Sequence, residues 1–264
     1  MANQKELAET FASLHVKGDP IIIFNVWDAG TAKAAEGFGA KAIATGSYAV
    51  AQANGFEDGE KLPLEVVLAN LERIVANVDL PVSLDFEGGY ATEPVGLSEN
   101  TRLAIKAGAV GINFEDRIVQ GDGLYDIYEQ EERIRAIRDA ADESGVPLFI
   151  NARCDVVLPL DTATHNNGHL EQMIERSAAY AEAGASGFFA PGLVNPSFIE
   201  RLCKTSPLPV NILVWPGAPS SVELADLGVA RISYGGSSYR MTMDAFKQAG
   251  KAALDWRKEK AAKQ

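Results

Sequence analysis

Cysteine, histidine and basic residues are scarce in this chain, and each scarcity excludes a class of site or partner. The 264 residues include 2 cysteines and 3 histidines, and 36 acidic residues outnumber 24 basic ones, for a formal net charge of -12. Because Cys154 and Cys203 form no CxxC pair, they predict neither a disulfide framework nor a zinc site, and a reducing cytoplasm fits them. The lack of basic clusters argues against a nucleic-acid partner, since phosphate binding relies on grouped Lys and Arg.

Long apolar runs are also absent. No segment approaches the ~20 consecutive apolar residues that span a bilayer, and the amino terminus lacks the apolar core and cleavage signal of an export sequence. We therefore expect no membrane partner. Hydrophobic residues still make up 47% of the chain, which allows a large core. Because no linker or shift in composition divides the chain, a single domain over residues 1–264 is predicted.

Eight apolar, β-branched segments alternate with segments of helical period. The candidate strands are 21–26, 42–46, 82–87, 111–116, 148–154, 187–192, 210–214 and 231–236. Their almost continuous apolar character predicts burial on both faces of a parallel sheet. Eight such units in about 220 residues favour an α/β fold of the (β/α)8 TIM-barrel type over an open doubly wound sheet. The last segment, 241–264, is amphipathic and predicts a packed helix followed by a solvated tail.

Three long connections interrupt this regular alternation. They cover residues 48–62, 116–130 and 155–169 and follow candidate strands 2, 4 and 5. Because they leave the carboxyl ends of strands, they belong to the face on which barrel enzymes carry their active sites. The functional residues are therefore expected at this end.

Three carboxylates end two neighbouring strands. Asp85 and Glu87 lie two residues apart at the end of strand 3, so the period-2 rule places both on one face and Phe86 on the other, and Glu115 ends strand 4. Carboxylates that lie so close together repel each other strongly, unless they are protonated or bridged by a cation. Oxygen ligands without His or Cys favour Mg²⁺, with Mn²⁺ as the alternative, over zinc. The other interpretation is a set of solvated acids paired with Lys or Arg.

Two further segments could bind an anion. Arg153 ends strand 5 on the same face as Asn151 and Asp155, whereas Cys154 faces the opposite way and is expected to be a buried, unreactive thiol. The Arg153 guanidinium can hold two carboxylate oxygens, or it can neutralise the acids nearby. The segment 45–49 would let an anion approach backbone N–H groups, or it is only a tight turn out of strand 2.

Taken together, the strand-end motifs resemble the isocitrate lyase and phosphoenolpyruvate mutase superfamily. The motifs run in order over about residues 20–240 and are FNVWDAGTAKAAEGFGAKAIATGSYAVAQANGFEDGE, LPVSLDFEGGY, AGAVGINFED, INARCD, AYAEAGASGFFAPG and GVARISYGG. Members of this superfamily are barrels that make or break C–C or P–C bonds next to a 2-oxo acid, through an enolate held on Mg²⁺. The resemblance implies a small 2-oxo acid or related dicarboxylate as the binding partner.

The resemblance also implies roles for the acids. Asp85, Glu87 and Glu115 would form the metal cluster, partly through waters, and Asp58 would be its outer-shell partner. Asp58, Glu115 and Arg153 would take part in catalysis.

Substrate-binding residues follow from the same resemblance. They would be Trp27, Ser47, Tyr48, Ala49, Asp85 and Arg153. Ser47, Tyr48 and Ala49 would hold the carboxylate or phosphonate, which Arg153 would also reach. Trp27 would wall the pocket, unless it only packs at the barrel top. Asp28 would lie near the metal-bound waters.

One loop departs from the superfamily pattern. Lyases carry a Lys-Lys/Arg-Cys-Gly-His loop after the strand 4 acid, and mutases and phosphonate hydrolases have Asn in its place. Residues 116–130 read DRIVQGDGLYDIYEQ and contain no Cys, His, Lys or Asn. Classical isocitrate or methylisocitrate lyase activity is therefore not expected. Tyr125, Tyr128, His165 and His169 could supply a proton, although loop residues without a role are the simpler interpretation.

The predicted function is that of a Mg²⁺-dependent lyase that cleaves or decarboxylates a 2-oxo acid through an enolpyruvate-like intermediate. Two alternatives stay open: a phosphonopyruvate-type P–C mutase or hydrolase, and a non-catalytic binder of 2-oxo acids. Superfamily members often form tetramers, as dimers of dimers that exchange their last helix. A homo-oligomer is therefore expected, with the segment from Met241 to Trp256 as the candidate swapped helix.

Overall fold

Residues 3–255 are described by the computed structural model, and they form eight parallel strands alternating with helices. The strands are β1 (Ile21–Ile23), β2 (Ile43–Ala44), β3 (Val82–Asp85), β4 (Gly111–Glu115), β5 (Phe149–Arg153), β6 (Gly187–Ala190), β7 (Val210–Leu213) and β8 (Arg231–Ser233). The helices are α1 (Gln4–Ser13), α2 (Ala29–Gly37), α3 (Ser47–Ala53), α4 (Leu64–Val75), α5 (Pro94–Lys106), α6 (Ile127–Glu143), α7 (Asn167–Glu182), α8 (Pro196–Thr205), α9 (Ser221–Asp226) and α10 (Ser237–Leu254), with a 3₁₀ turn at Thr162–Thr164.

The strands follow one another around a barrel. Hydrogen-bonded neighbours run in the order β1-β8-β7-β6-β5-β4-β3-β2. The remaining gap, between β1 and β2, is closed just above the strands, where the Val26 amide donates to the Ala44 carbonyl at 2.9 Å and the Gly46 amide donates to the Val26 carbonyl at 3.2 Å. The predicted (β/α)8 TIM barrel is therefore confirmed.

Every strand ends one to three residues before the predicted end, and two of these ends bear on the site. β2 ends at Ala44, and the segment expected to be a turn contains the start of α3 at Ser47. β3 ends at Asp85, because the backbone of Glu87 turns into the left-handed region with φ of 50°. The period-2 argument therefore does not reach Glu87, and a turn of the chain directs its side chain instead.

The core fills the space inside the barrel and between the barrel and its helices. All five residues of β4 are buried, and the Phe86 and Phe114 side chains are fully shielded from water. The thiol of Cys154 is also fully buried, and this burial raises its pKa well above the usual range. Both Cys154 and Cys203 are free and buried, which agrees with the predicted absence of a disulfide.

Helix α1 closes the amino end of the barrel. Phe11 is fully buried with its ring 5.4 Å from that of Phe149, and His15 stacks on Phe149 at 4.0 Å. A Cβ at position 111 would lie 2.7 Å from a ring carbon of Phe11, so Gly111 leaves the space that Phe11 occupies. Burial lowers the pKa of His15 to about 3, which keeps its ring neutral under the barrel.

The final helix, α10, was expected to be a packed helix, but within this chain most of its described residues are exposed. Ser238 is the single buried residue of α10 within the described part, whereas Met241, Phe246 and Leu254 are 51%, 72% and 78% exposed. Trp256 and the tail 258–264 lie outside the described residues. Every helix within residues 3–255 is too short or too polar to cross a lipid bilayer.

The position of Phe11 gives a stability test. Because its whole ring is buried, Phe11→Ala is expected to lower the free energy of unfolding by about 3–5 kcal/mol, measured by urea denaturation. Val95→Ala on α5 is the control, since Val95 is 71% exposed and its truncation should change stability by about 0.5 kcal/mol or less. Equal losses in the two variants would contradict the role of α1 as the closure of the barrel.

Candidate active site

A cavity of about 280 Å³ opens at the carboxyl ends of the strands. The acids, amides and cation in its lining include Asn25, Asp58, Asp85, Asn113 and Arg153. Its apolar wall consists of Leu158, Phe189, Pro191, Leu213 and Trp215. A concave pocket with a few converging polar groups is the usual form of a small-molecule site.

Asp85 is fixed at the end of β3 by the segment that follows β2. Its Oδ2 accepts a hydrogen bond from the Ser47 backbone amide at 2.8 Å, and its own amide donates to Thr45 Oγ1 at 2.9 Å. Within residues 3–255, no hydrogen-bond donor of the protein contacts its other carboxylate oxygen, Oδ1, and the side chain lines the cavity. Asp85 is therefore positioned with coordinating capacity toward the cavity.

Glu87 lies beside Asp85 but is held by the protein. Its Oε2 accepts from the backbone amides of Gly59 and Glu60 at 2.9 and 2.8 Å, and its Oε1 accepts from the Tyr90 hydroxyl at 3.0 Å. These bonds fasten the loop that carries Asp58 over the site. Glu87 is 6% exposed, so its direct access to a ligand is small.

Glu115 and Asp155 hold Arg153 between them. Arg153 Nη1 lies 2.7 Å from Glu115 Oε2, and its Nε and Nη2 donate to the two oxygens of Asp155 at 2.6 and 2.7 Å. Arg153 is therefore compatible with both interpretations: it neutralises neighbouring acids, and it lines the cavity in which an anion could bind. A guanidinium fixed in this way needs little reorganisation to receive an anion.

Asp116, a fully buried acid, holds this arrangement in place. Asp116 accepts from the Asp155 amide at 2.9 Å, from the Tyr180 hydroxyl at 2.8 Å and from Arg176 Nη1 at 3.1 Å. Arg176 also donates to the Tyr125 carbonyl at 3.0 Å. Asp116 therefore ties α7 and the loop after β4 to the segment that holds Arg153.

The carboxylates share one electrostatic environment. Burial, followed by Asp85 and Asp58, raises the pKa of Glu87 to about 7. Burial also raises the pKa of Asp58, and Asp85 adds to the effect. Burial raises the pKa of Glu115, and the ion pair with Arg153 lowers it. The negative charges of Asp155 and Asp85 raise it again, so the net shift is upward. Negative charge at this mouth is therefore only partly compensated by the protein.

The predicted metal residues do not form a closed set of ligands. Within residues 3–255, no three His, Cys, Asp or Glu side chains are arranged so that together they could hold a metal ion. The reason is visible in the hydrogen bonds, since protein donors occupy Glu87 and Arg153 occupies Glu115. Asp58 and Asp85 are the two acids that line the cavity itself.

The structure separates the other predicted substrate residues. Ser47 and Tyr48 line the cavity, whereas the Ala49 side chain is fully buried in α3. Trp27 does not line it and packs edge-on against Tyr239 of α10, with ring centroids 5.1 Å apart. Asp28 is exposed and caps α2 by accepting from the Thr31 amide at 2.7 Å.

None of the four candidate proton donors lines the cavity. Arg133 lies over the Tyr125 ring at 3.9 Å, and Tyr128 is 69% exposed. His165 and His169 lie beyond β5 with their rings 6.4 Å apart.

Several cavity residues were missed by the sequence analysis. Asn25 accepts from the amides of Tyr234 and Gly235 at 3.1 and 2.7 Å, which joins β1 to the end of β8, and Asn113 accepts from Asn151 at 2.8 Å. Their signal was a polar residue inside an otherwise apolar strand segment. Trp215 and Arg240 also line the cavity, but they follow β7 and β8 without a pattern that could have marked them.

Fold and cavity together define a parallel barrel with an acidic pocket at the end where barrel enzymes carry their active sites. A sequence model described as phosphoenolpyruvate phosphomutase matches residues 11–254. The chain belongs to this family, within the isocitrate lyase and phosphoenolpyruvate mutase superfamily, and the resemblance seen in the motifs is confirmed.

Individual relatives span several reactions. The chain is 29% identical to the 2-methylisocitrate lyase of Escherichia coli (strain K12), over 88% of this chain and 79% of that one. It is 26% identical to the oxaloacetate decarboxylase of Pseudomonas entomophila (strain L48), over 90% and 81%. Among solved structures, a proposed phosphonomutase from Burkholderia cenocepacia J2315 is 44% identical, with a TM-score of 0.93 over 95% of this chain and 100% of that one. A phosphonopyruvate hydrolase in complex with oxalate and Mg²⁺ is 21% identical, with a TM-score of 0.81 over 96% and 88%.

The contacts of Asp116 predict a large structural role. Asp116→Ala would leave a partly buried Arg176 without its carboxylate and is expected to lower the free energy of unfolding by about 3 kcal/mol, measured by chemical denaturation. Glu143→Ala breaks an exposed ion pair with Arg102 and should cost about 1 kcal/mol or less. If the two variants lose the same stability, Asp116 does not anchor the site as described.

Proposed function

We propose that the chain is a Mg²⁺-dependent lyase that cleaves or decarboxylates a small 2-oxo acid or related dicarboxylate. The observation that carries this proposal is that Asp58, Asp85 and Arg153 line one cavity, which offers acids for a hard cation beside a guanidinium for a carboxylate. Relatives named as a lyase and as an oxaloacetate decarboxylase support the reaction class. The oxalate and Mg²⁺ complex of a protein with the same fold supports the ligand class.

The donor set fits Mg²⁺, or Mn²⁺, held by one or two carboxylates and several waters. All candidate ligands are oxygen atoms. Burial, with the charge of Asp85 as the next cause, raises the pKa of Asp58 and of Glu87, and a bound cation would favour their charged forms. Asp85 is the proposed direct ligand, while Glu87 and Glu115 would act through water. When bound, the ion would supply positive charge that favours the enolate form of a 2-oxo acid.

The chain's own residues would orient the substrate and exclude water. Arg153, held by Glu115 and Asp155, would receive the substrate carboxylate in a fixed geometry. The hydroxyls of Ser47 and Tyr48 would donate hydrogen bonds to the same end. In a decarboxylation, the departing carboxylate would leave as CO2 and the electron pair of the broken C–C bond would move to the 2-oxo group to give an enolate. A proton added to the carbon that lost CO2 would then give the product 2-oxo acid. The apolar wall would limit the access of water during this step.

A phosphonopyruvate mutase or hydrolase is the second candidate, favoured by the 44% identity to the proposed phosphonomutase. The loop after β4 lacks the Asn found there in such enzymes. Product analysis with oxaloacetate, 2-methylisocitrate and phosphonopyruvate separates the possibilities. Pyruvate from a carbon substrate supports the lyase, inorganic phosphate or phosphoenolpyruvate supports the second candidate, and tight oxalate binding without turnover of any substrate indicates a binder.

Asp85 gives the sharpest test of the metal and ligand site. Asp85→Ala is expected to weaken Mg²⁺-dependent oxalate binding by about 100-fold or more, since it removes the proposed direct ligand, and calorimetry measures this. Asp139→Ala removes one exposed carboxylate of α6 and should leave the affinity unchanged. Unaltered oxalate binding in Asp85→Ala would contradict the proposal.

We also propose that a second copy of the chain covers an apolar groove beside β1. The groove, of about 590 Å³, is lined by Val16, Ile22, Phe24 and Phe38 among others, and Ile22 is 41% exposed although it belongs to a barrel strand. The chain's own last helix leaves its apolar side chains in solvent instead. Helix α10 of a second copy is the complementary surface, because its exposed Met241 and Phe246 match the groove in polarity.

This proposal predicts a homo-oligomer that depends on α10. Phe246→Asp places a charge in the proposed interface and is expected to shift the chain to a smaller species on a sizing column with light scattering. Val95→Asp, at an equally exposed apolar residue of α5, should leave the size unchanged. The exchange of helices is ruled out if both variants elute like the unmodified chain.

A further inference from the structure

The cavity contains a second arginine whose charge is not balanced by a carboxylate of the described residues. Arg240, in the first turn of α10, lines the same cavity as Asp85 and Arg153. Among residues 3–255 it forms no ion pair, and the one hydrogen bond of its side chain there is a long one, 3.3 Å from Nη2 to Ser237 Oγ. Arg153 is different, because Glu115 and Asp155 already surround it with two negative charges.

The position of Arg240 is shaped by its neighbours. Its guanidinium carbon lies 5.3 Å from the centre of the Tyr48 ring, a distance at which cation and ring attract. A Cβ at position 236 would lie 2.7 Å from Tyr48 Cδ1 and 3.0 Å from Arg240 Nη1. Glycine at 236 therefore leaves the room in which the guanidinium and the ring approach each other at the cavity rim.

The lining of the cavity thus combines two separate cations with apolar surface. Arg153 is already paired with carboxylates, Arg240 has none among residues 3–255, and Leu158, Phe189 and Trp215 are the apolar neighbours. Trp215 is 37% exposed, so it presents free apolar surface to a ligand. A ligand that uses all of these groups has an anionic head, a short carbon chain and a second anionic group.

We propose that Arg240 binds the distal carboxylate of a dicarboxylic 2-oxo acid, so that the enzyme prefers dianionic substrates over monocarboxylates with the same head. This inference rests on the proposed function, which places the 2-oxo acid head at Asp85 and Arg153. Arg240 acts on specificity, because it would recognise the group by which a dicarboxylate differs from a monocarboxylate. The guanidinium can hold both oxygens of the distal carboxylate at once.

Binding by matched ligand pairs tests the inference. Calorimetry in Mg²⁺ would compare oxaloacetate with pyruvate, 2-oxoglutarate with 2-oxobutyrate, and 2-oxoadipate with 2-oxovalerate, since each pair differs by the distal carboxylate. Oxalate resembles only the 2-oxo acid head of these ligands, so it probes the part of the cavity that Asp85 and Arg153 line. The unmodified chain is expected to bind at least one dicarboxylate about 10-fold more tightly than its partner, the typical effect of a charged hydrogen bond.

Arg240→Gln is expected to remove this preference while leaving oxalate and the monocarboxylates unchanged, and Arg240→Lys should keep part of it. Arg102→Gln, at an exposed arginine of α5, makes the same change of charge away from the cavity and should have no effect.

Three results would overturn the inference. Unaltered dicarboxylate affinity in Arg240→Gln, with normal binding of oxalate, would reject the distal site and leave the proposed function intact. An equal loss for dicarboxylates, monocarboxylates and oxalate would place Arg240 at the head instead. Failure of the unmodified chain to bind oxalate with Mg²⁺ would reject the proposed function and this inference with it.

Discussion

The site depends on the crowding of carboxylates around one guanidinium at the mouth of the barrel. Glu115 and Asp155 contact Arg153 directly, while Asp58 and Asp85 face the cavity beside it. The protein offers too little positive charge for these acids, which is why burial and mutual repulsion raise the pKa of Glu87 and of Asp58. A bound cation would relieve this repulsion and would also attract an anionic ligand into the cavity.

The fold maintains this crowded arrangement through contacts behind the site. Backbone amides of the loop after β2 donate to Glu87, and Asp116 connects Asp155 to α7. Asp116 is fully buried and keeps several donors satisfied, so the residues in front of it do not need to rearrange when a ligand arrives. The stability of the barrel and the geometry of the site therefore rest on shared contacts.

The barrel could be predicted from the sequence because its signal is repeated eight times, as an apolar strand followed by a helix. The position of Asp85 was also predictable, since a strand end defines it. Glu87 was harder, because a left-handed turn directs its side chain and no period describes that turn. Arg240 and Trp215 could not be predicted, since they reach the cavity only after β8 pairs with β7 and β1 and the barrel closes.

A crystal structure of the chain with Mg²⁺ and oxalate tests the central claim most directly. The account predicts a metal ion bonded to an oxygen of Asp85, surrounded by waters that contact Glu87 or Glu115, with oxalate between the ion and Arg153. A cavity that stays free of both metal and oxalate at saturating concentrations, or a metal bound away from Asp85, would contradict it.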